Sequence, residues 1–219
     1  MSKQRISFVD PASISDPEMI AELERCAKYG TPRPESQAIR AHVPAAFFSF
    51  AKTWDSVFRN GVLDHEVKEL CRIYVSKSVF CEYCGNQRSV KAEAAGMIEE
   101  DYMDLLMFEK SERYDARQKA ALAYTDAIVW DQETSDELWE ALHKHFSEPE
   151  LVELGYFIAI TMGQQRWLKT LNIEHHLVMP GSAASMAPGM ESGEALKQAK
   201  GAEDYWAKDK QTKDKAATE

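Results

Sequence analysis

A chain of 219 residues with 44% hydrophobic content is long enough to bury a core of its own. Its 26 Lys and Arg stand against 36 Asp and Glu, a net charge of -10, which gives no electrostatic basis for binding nucleic acid or an anionic membrane. No apolar run approaches the roughly 20 residues of a membrane span, and the N-terminal "MSKQRISFVDPASISDPE" has no signal-type apolar stretch, so the expected compartment is the cytoplasm.

Apolar spacing is helical almost throughout, and period-two alternation is not sustained anywhere, so the expected fold class is all-α. "SDPEMIAELERCAKYG" opens with Asp16 as a cap and Pro17 in the first turn and stops at Gly30, which predicts a first helix. After the connection "TPRP", a short helix is expected in "PESQAIRAH". Pro44 then opens "PAAFFSFAKTWDSVFRNG", whose Phe47, Phe50, Trp54 and Phe58 form a core stripe. "LDHEVKELCRIYVSKSVF" is a helix capped by Asp64, and "CEYCGNQRSVKAEAAG" is expected to continue as a helix to Gly96. A shorter helix is expected in "IEEDYMDLLMF", followed by amphipathic helices in "DARQKAALAYTDAIVW" and "SDELWEALHKHF". The longest, "SEPELVELGYFIAITMGQQRWLKTLNI", has an apolar middle suited to a bundle centre or a subunit interface. Residues 1–40 are thus expected to be an N-terminal helical segment and 41–179 the main domain. From Pro180 the chain is rich in Gly, Ala, Ser and alternating charge and is expected to be a polar tail, partly disordered or docked as a helix.

The chemistry centres on Cys81 and Cys84. Four cysteines are too few for a secreted disulfide scaffold, and in a reducing compartment a CxxC is redox-active or metal-binding before it is structural. Cys26 and Cys71 are expected to be small core residues. Only a thiolate attacks a peroxide or a disulfide, and the start of a helix favours the anion. On one continuous helix Cys81, Cys84 and Arg88 would share a stripe, with the Arg88 guanidinium holding a thiolate or an anionic substrate. Because arginine is no base at neutral pH, the proton acceptor has to be another group. Glu69, set among Leu70, Ile73 and Val75, is the candidate acceptor; equally, it neutralises a buried arginine. A structural zinc would require two more ligands, which the adjacent His175 and His176 do not supply, and no glycine-rich phosphate loop is present. Neither metal nor cofactor is expected.

A glutamate followed after twelve residues by CxxC, in an all-helical chain, resembles the AhpD-like superfamily of alkylhydroperoxidase D and carboxymuconolactone decarboxylase. The likeness spans roughly residues 40–175, most specifically "LDHEVKELCRIYVS…CEYC". It implies an AhpD-like helical bundle, with Cys84 peroxidatic, Cys81 resolving and Glu69 in the proton relay. The family's relay histidine is replaced here by Arg88. The implied activity is that of a thiol peroxidase acting on a hydroperoxide and recharged by a thiol or dithiol reductant. The alternative is a lyase or isomerase acting on a small carboxylated lactone or aromatic-derived acid, with Arg88 on the carboxylate and Glu69 moving the proton. A non-catalytic helical scaffold is the third reading. The resemblance also implies a homo-oligomer: a trimer, dimer or hexamer.

Overall fold

Asp16, Pro17 and Gly30 bound the first helix as their chemistry dictates. The Asp16 carboxylate accepts from the Glu18 and Met19 amides, and Gly30 takes the left-handed conformation (φ 67°) that ends the helix α1, Pro17–Tyr29. The computed structural model describes residues 3–173 and is all-helical there, without strands. The described chain divides into two compact units: residues 3–52, 86–90 and 172–173 belong to one, and residues 53–85 and 91–171 to the other. The expected tail from Pro180, with His175 and His176, lies outside the described residues. No described helix is long and apolar enough to cross a membrane.

In the first unit, α1 packs with α2 (Pro34–Arg40) and the start of α3 (Pro44–Thr53). Met19, Leu23, Ala38, Ala41 and Phe47 make its core, with Phe8, Val9, Ile14 and Phe48 against them. Phe50, expected in the core, is half-buried and lies under the Arg40 guanidinium, 3.8 Å from its ring centre. Cys26 is fully buried, and that burial pushes its thiol well above the usual range.

The second unit begins where α3 runs into a π-helical segment, Trp54–Asn60, that stops at Gly61 (φ 50°). A wider helix leaves its last carbonyls without intrahelical donors. Three basic side chains take them: Lys68 Nζ donates to the Val57 carbonyl at 2.7 Å, His65 Nδ1 lies 2.9 Å from that of Phe58, and Lys91 Nζ donates to that of Arg59 at 2.9 Å. The ring of Phe58 stacks on Phe157 and lies against Trp54 and His65. Next come α4 (His65–Ser78), α5 (Glu82–Gly85) and α6 (Val90–Ala94), then 3-10 turns at Glu99–Tyr102 and Leu105–Met107. These turns replace the helix expected over residues 98–108. Tyr102, Leu105 and Phe108 recur every three residues, the period of a 3-10 helix, and all three enter one core with Leu70, Ile73, Tyr74, Tyr114 and Leu122.

The helices α7 (Ala116–Trp130), α8 (Asp136–His145) and α9 (Glu148–Thr170) complete the unit, with α4 packed against both α7 and α9. Asp64 stands at the start of α4 as expected, but its carboxylate binds Arg117 rather than the helix amides. Arg117 also binds Glu150 in the first turn of α9 at 2.5 Å, so one guanidinium ties the starts of two helices. Bonds from the Ser147 amide and hydroxyl, joined by Arg117, pull the Glu150 carboxyl down to about 2. In α4, only Glu66 and Lys77 are not buried, which makes it the central helix of this unit.

Candidate dithiol site

The end of α4 positions the cysteines. Phe80 adopts the left-handed conformation (φ 55°), and the Cys81 amide then reaches back to the Ser76 carbonyl at 3.0 Å, closing the helix. Glycine normally occupies such a position, because a Cβ there crowds the carbonyl. The Phe80 ring is 76% exposed and adds nothing to the core; its neighbour is Lys169, whose Nζ lies 5.5 Å from the ring centre and donates to the Val79 carbonyl at 2.8 Å. Phe80→Gly is therefore expected to raise stability by about 0.5–1 kcal/mol. An unchanged or lower denaturant midpoint in that variant would show that the ring contributes more than its exposure indicates.

The helix α5 is one turn. The Cys84 and Gly85 amides both donate to the Cys81 carbonyl, at 3.1 and 2.8 Å, and a Cβ at Gly85 would sit 3.4 Å from that of Ser76, so the turn lies directly on α4. Cys81 and Cys84 are joined by a disulfide with their Cα atoms 5.3 Å apart, and both are almost fully buried.

One turn upstream on α4, Glu69 (0% exposed) and Arg72 (2%) form a two-pronged ion pair. Arg72 Nε donates to Glu69 Oε2 at 2.7 Å and Nη2 to Oε1 at 2.8 Å. The third nitrogen, Nη1, donates to the Cys84 carbonyl at 3.0 Å. The Arg72 carbonyl accepts from Ser76 Oγ and from Gln165 Nε2 of α9, each at 3.1 Å. His65, Glu69 and Arg72 follow one another along one stripe of α4. Burial holds the His65 imidazole below its ordinary basicity, partly offset by the Glu69 carboxylate and by the bond to Phe58.

The structure thus joins Cys84 to Cys81 through the disulfide and to Glu69 through Arg72, a residue that the sequence reading did not single out. Its signal was there, since a glutamate and an arginine three apart on a helix are neighbours. Arg88 stands differently. The helix expected to run from Cys81 to Gly96 breaks after Gly85: Gln87–Ser89 are not helical, and α6 starts only at Val90. Arg88 accordingly shares no helical stripe with the cysteines. It belongs to the first unit, where it is buried and its Nη1 donates to the Gln87 carbonyl at 3.0 Å. One turn of helix also gives little of the dipole expected to ionise Cys84. Cys71 is fully buried and its thiol is pushed up to about 12, a core residue by every measure.

Among solved structures, the debrominase Bmp8, as a cysteine-to-alanine variant with 2,3,4-tribromopyrrole, matches 80% of this chain and 94% of its own, with TM-score 0.63 and 18% identity. An alkylhydroperoxidase AhpD core protein, an uncharacterised peroxidase-related protein of Ralstonia eutropha JMP134, matches the same shares with TM-score 0.62 and 19% identity. The chain has the AhpD-like fold. A peroxidase-related protein of Silicibacter sp. TM1040 shares this AhpD-like arrangement over 84% of the chain and 99% of its own, with TM-score 0.61 and 16% identity. In sequence, two uncharacterised Mycobacterium tuberculosis proteins, MT2376 (strain CDC 1551 / Oshkosh) and Rv2313c (strain ATCC 25618 / H37Rv), are each 34% identical over 104 residues. That stretch is 47% of this chain but only 37% of each relative. No protein-family model matches.

Proposed function

We propose that the chain is a cysteine-dependent hydroperoxide reductase. The observation that carries this reading is the Cys81–Cys84 disulfide, closed in the same unit as the buried Glu69 carboxylate. The fold shared with peroxidase-related proteins supports it further. In the reduced protein Glu69 accepts the Cys84 proton, and the thiolate attacks the distal oxygen of an organic hydroperoxide. The O–O bond breaks, the alkoxide takes up a proton and leaves as an alcohol, and Cys84 becomes a sulfenic acid. Cys81 then attacks the Cys84 sulfur, water leaves, and the disulfide forms. Two electrons pass from the dithiol to the peroxide, and an external thiol or dithiol returns them. Arg88 is given no step in this scheme. The proposal extends to a homo-oligomer, supported by the exposed Ile98, Met103, Leu106 and Met107 of one segment and by Val152 and Tyr156, one turn apart on α9.

Single turnover tests it. Fully reduced protein mixed with cumene hydroperoxide, with mass mapping of each cysteine over time, is expected to convert Cys81 and Cys84 to the disulfide while Cys26 and Cys71 stay reduced. Cys84→Ser is expected to abolish peroxide consumption and leave the fold intact. Unchanged consumption in that variant, or wild-type thiols that stay reduced, would sink the reading.

A further inference from the structure

We infer that Arg72 is a positioning residue of the dithiol: its guanidinium ties the Glu69 carboxylate to the Cys84 backbone, so that the carboxylate and the cysteine are held as one unit. The inference rests on the reading of Cys81 and Cys84 as a redox pair, and its test does not depend on peroxide being the oxidant.

Three donors on one planar group meet three acceptors: both oxygens of Glu69 and the carbonyl of Cys84, at 2.7–3.0 Å. A lysine ammonium has no fork to match a carboxylate on one edge and a carbonyl beyond it. Burying both charges is a poor route to stability, because apolar side chains of similar volume at such positions are often neutral or stabilising. What the pair supplies instead is geometry. The Ser76 and Gln165 bonds to the Arg72 carbonyl fix its stretch of α4, so the guanidinium acts from a rigid base. It also supplies charge. Reduction of the disulfide leaves a thiol at Cys84 that must ionise to react, and a fixed cation on that residue's own carbonyl favours the thiolate. By favouring the thiolate, Arg72 stabilises the reduced state and makes the disulfide easier to reduce.

Arg72→Lys and the pair deletion Glu69→Met with Arg72→Met, both in the full chain, separate this from a packing role. The second variant removes both charges at once, which keeps the fold where a lone change leaves a buried charge behind. Each is equilibrated with reduced and oxidised glutathione, and the Cys81–Cys84 state is read by mass mapping. Both variants are expected to shift the equilibrium about tenfold toward the disulfide, or about 30 mV toward more negative potential. Folded variants within about twofold of wild type, well under that tenfold step, would overturn the inference and leave Arg72 a buried structural cation. If wild type ignores peroxide while the variants still shift, the hydroperoxide reading fails and the role of Arg72 stands.

Discussion

Glu153→Ala is expected to lower stability by about 3–5 kcal/mol, the range for breaking a buried ion pair by removing one partner. Glu153 Oε1 accepts from Lys68 Nζ at 2.8 Å and from the Leu63 amide at 3.2 Å, while Oε2 accepts from the Val62 amide at 2.6 Å. One carboxylate of α9 thereby secures the loop between the π-helical segment and α4, together with a lysine that is 1% exposed. The loop has no slack, since a Cβ at Gly61 would run into the same carboxylate. The loss should depend on pH with a definite sign. Burial already lowers the Lys68 pKa, and Glu153 works against that shift. Without Glu153 the folded-state pKa drops further below the unfolded value, so between the two values the unfolded chain binds the extra proton. The variant should lose most stability at low pH, and should recover as the pH rises toward the ordinary lysine range. Urea midpoints at pH 6 and pH 9 read both effects. A loss under about 1 kcal/mol, the scale of an ordinary substitution, would mean that the amides and Lys68 find water as good a partner.

The parts of the fold that the sequence announced are those written in local chemistry. Asp16, Pro17 and Gly30 bound α1, and the apolar residues around Glu69 announce a largely buried α4, because caps and apolar periodicity act within a few residues; that α4 rather than the longest helix is the most buried of its unit came only from the structure. The break after α5 also had a local signal: Gly85–Asn86 is a helix stop, masked in the reading by the helical pattern that resumes at Val90. What was not legible depends on partners far along the chain. The Lys68–Glu153 pair joins residues 85 apart, and Gln165 reaches Arg72 across 93. The π-helical segment was hidden for another reason. Trp54 and Phe58, four apart, fit an α-helical stripe, and only the three basic side chains on the last carbonyls reveal the wider turn.

Glu69 carried two readings in the sequence, a proton acceptor and a counter-charge for a buried arginine, and the ion pair with Arg72 gives the second a definite partner. The two differ in what Glu69→Gln does. An amide keeps the shape but turns one acceptor into a donor facing an arginine N–H, so either reading predicts lost stability. Only the first predicts a chemical loss beyond it. With no base to take the Cys84 proton, oxidation of the folded variant by cumene hydroperoxide should slow about 10²- to 10⁴-fold, the usual span for removing a positioned acid–base group. Measured at a temperature where circular dichroism shows the variant fully folded, a rate within about threefold of wild type, far outside that span, would leave Glu69 only the role of counter-charge. The proton would then have to leave Cys84 for solvent or another group. Arg72 makes the outcome informative in either case: a carboxylate held by a guanidinium is a weaker base than a free one, so it can serve as an acceptor only if reaching the thiolate costs little. The same guanidinium, on the Cys84 carbonyl, is placed to lower that cost.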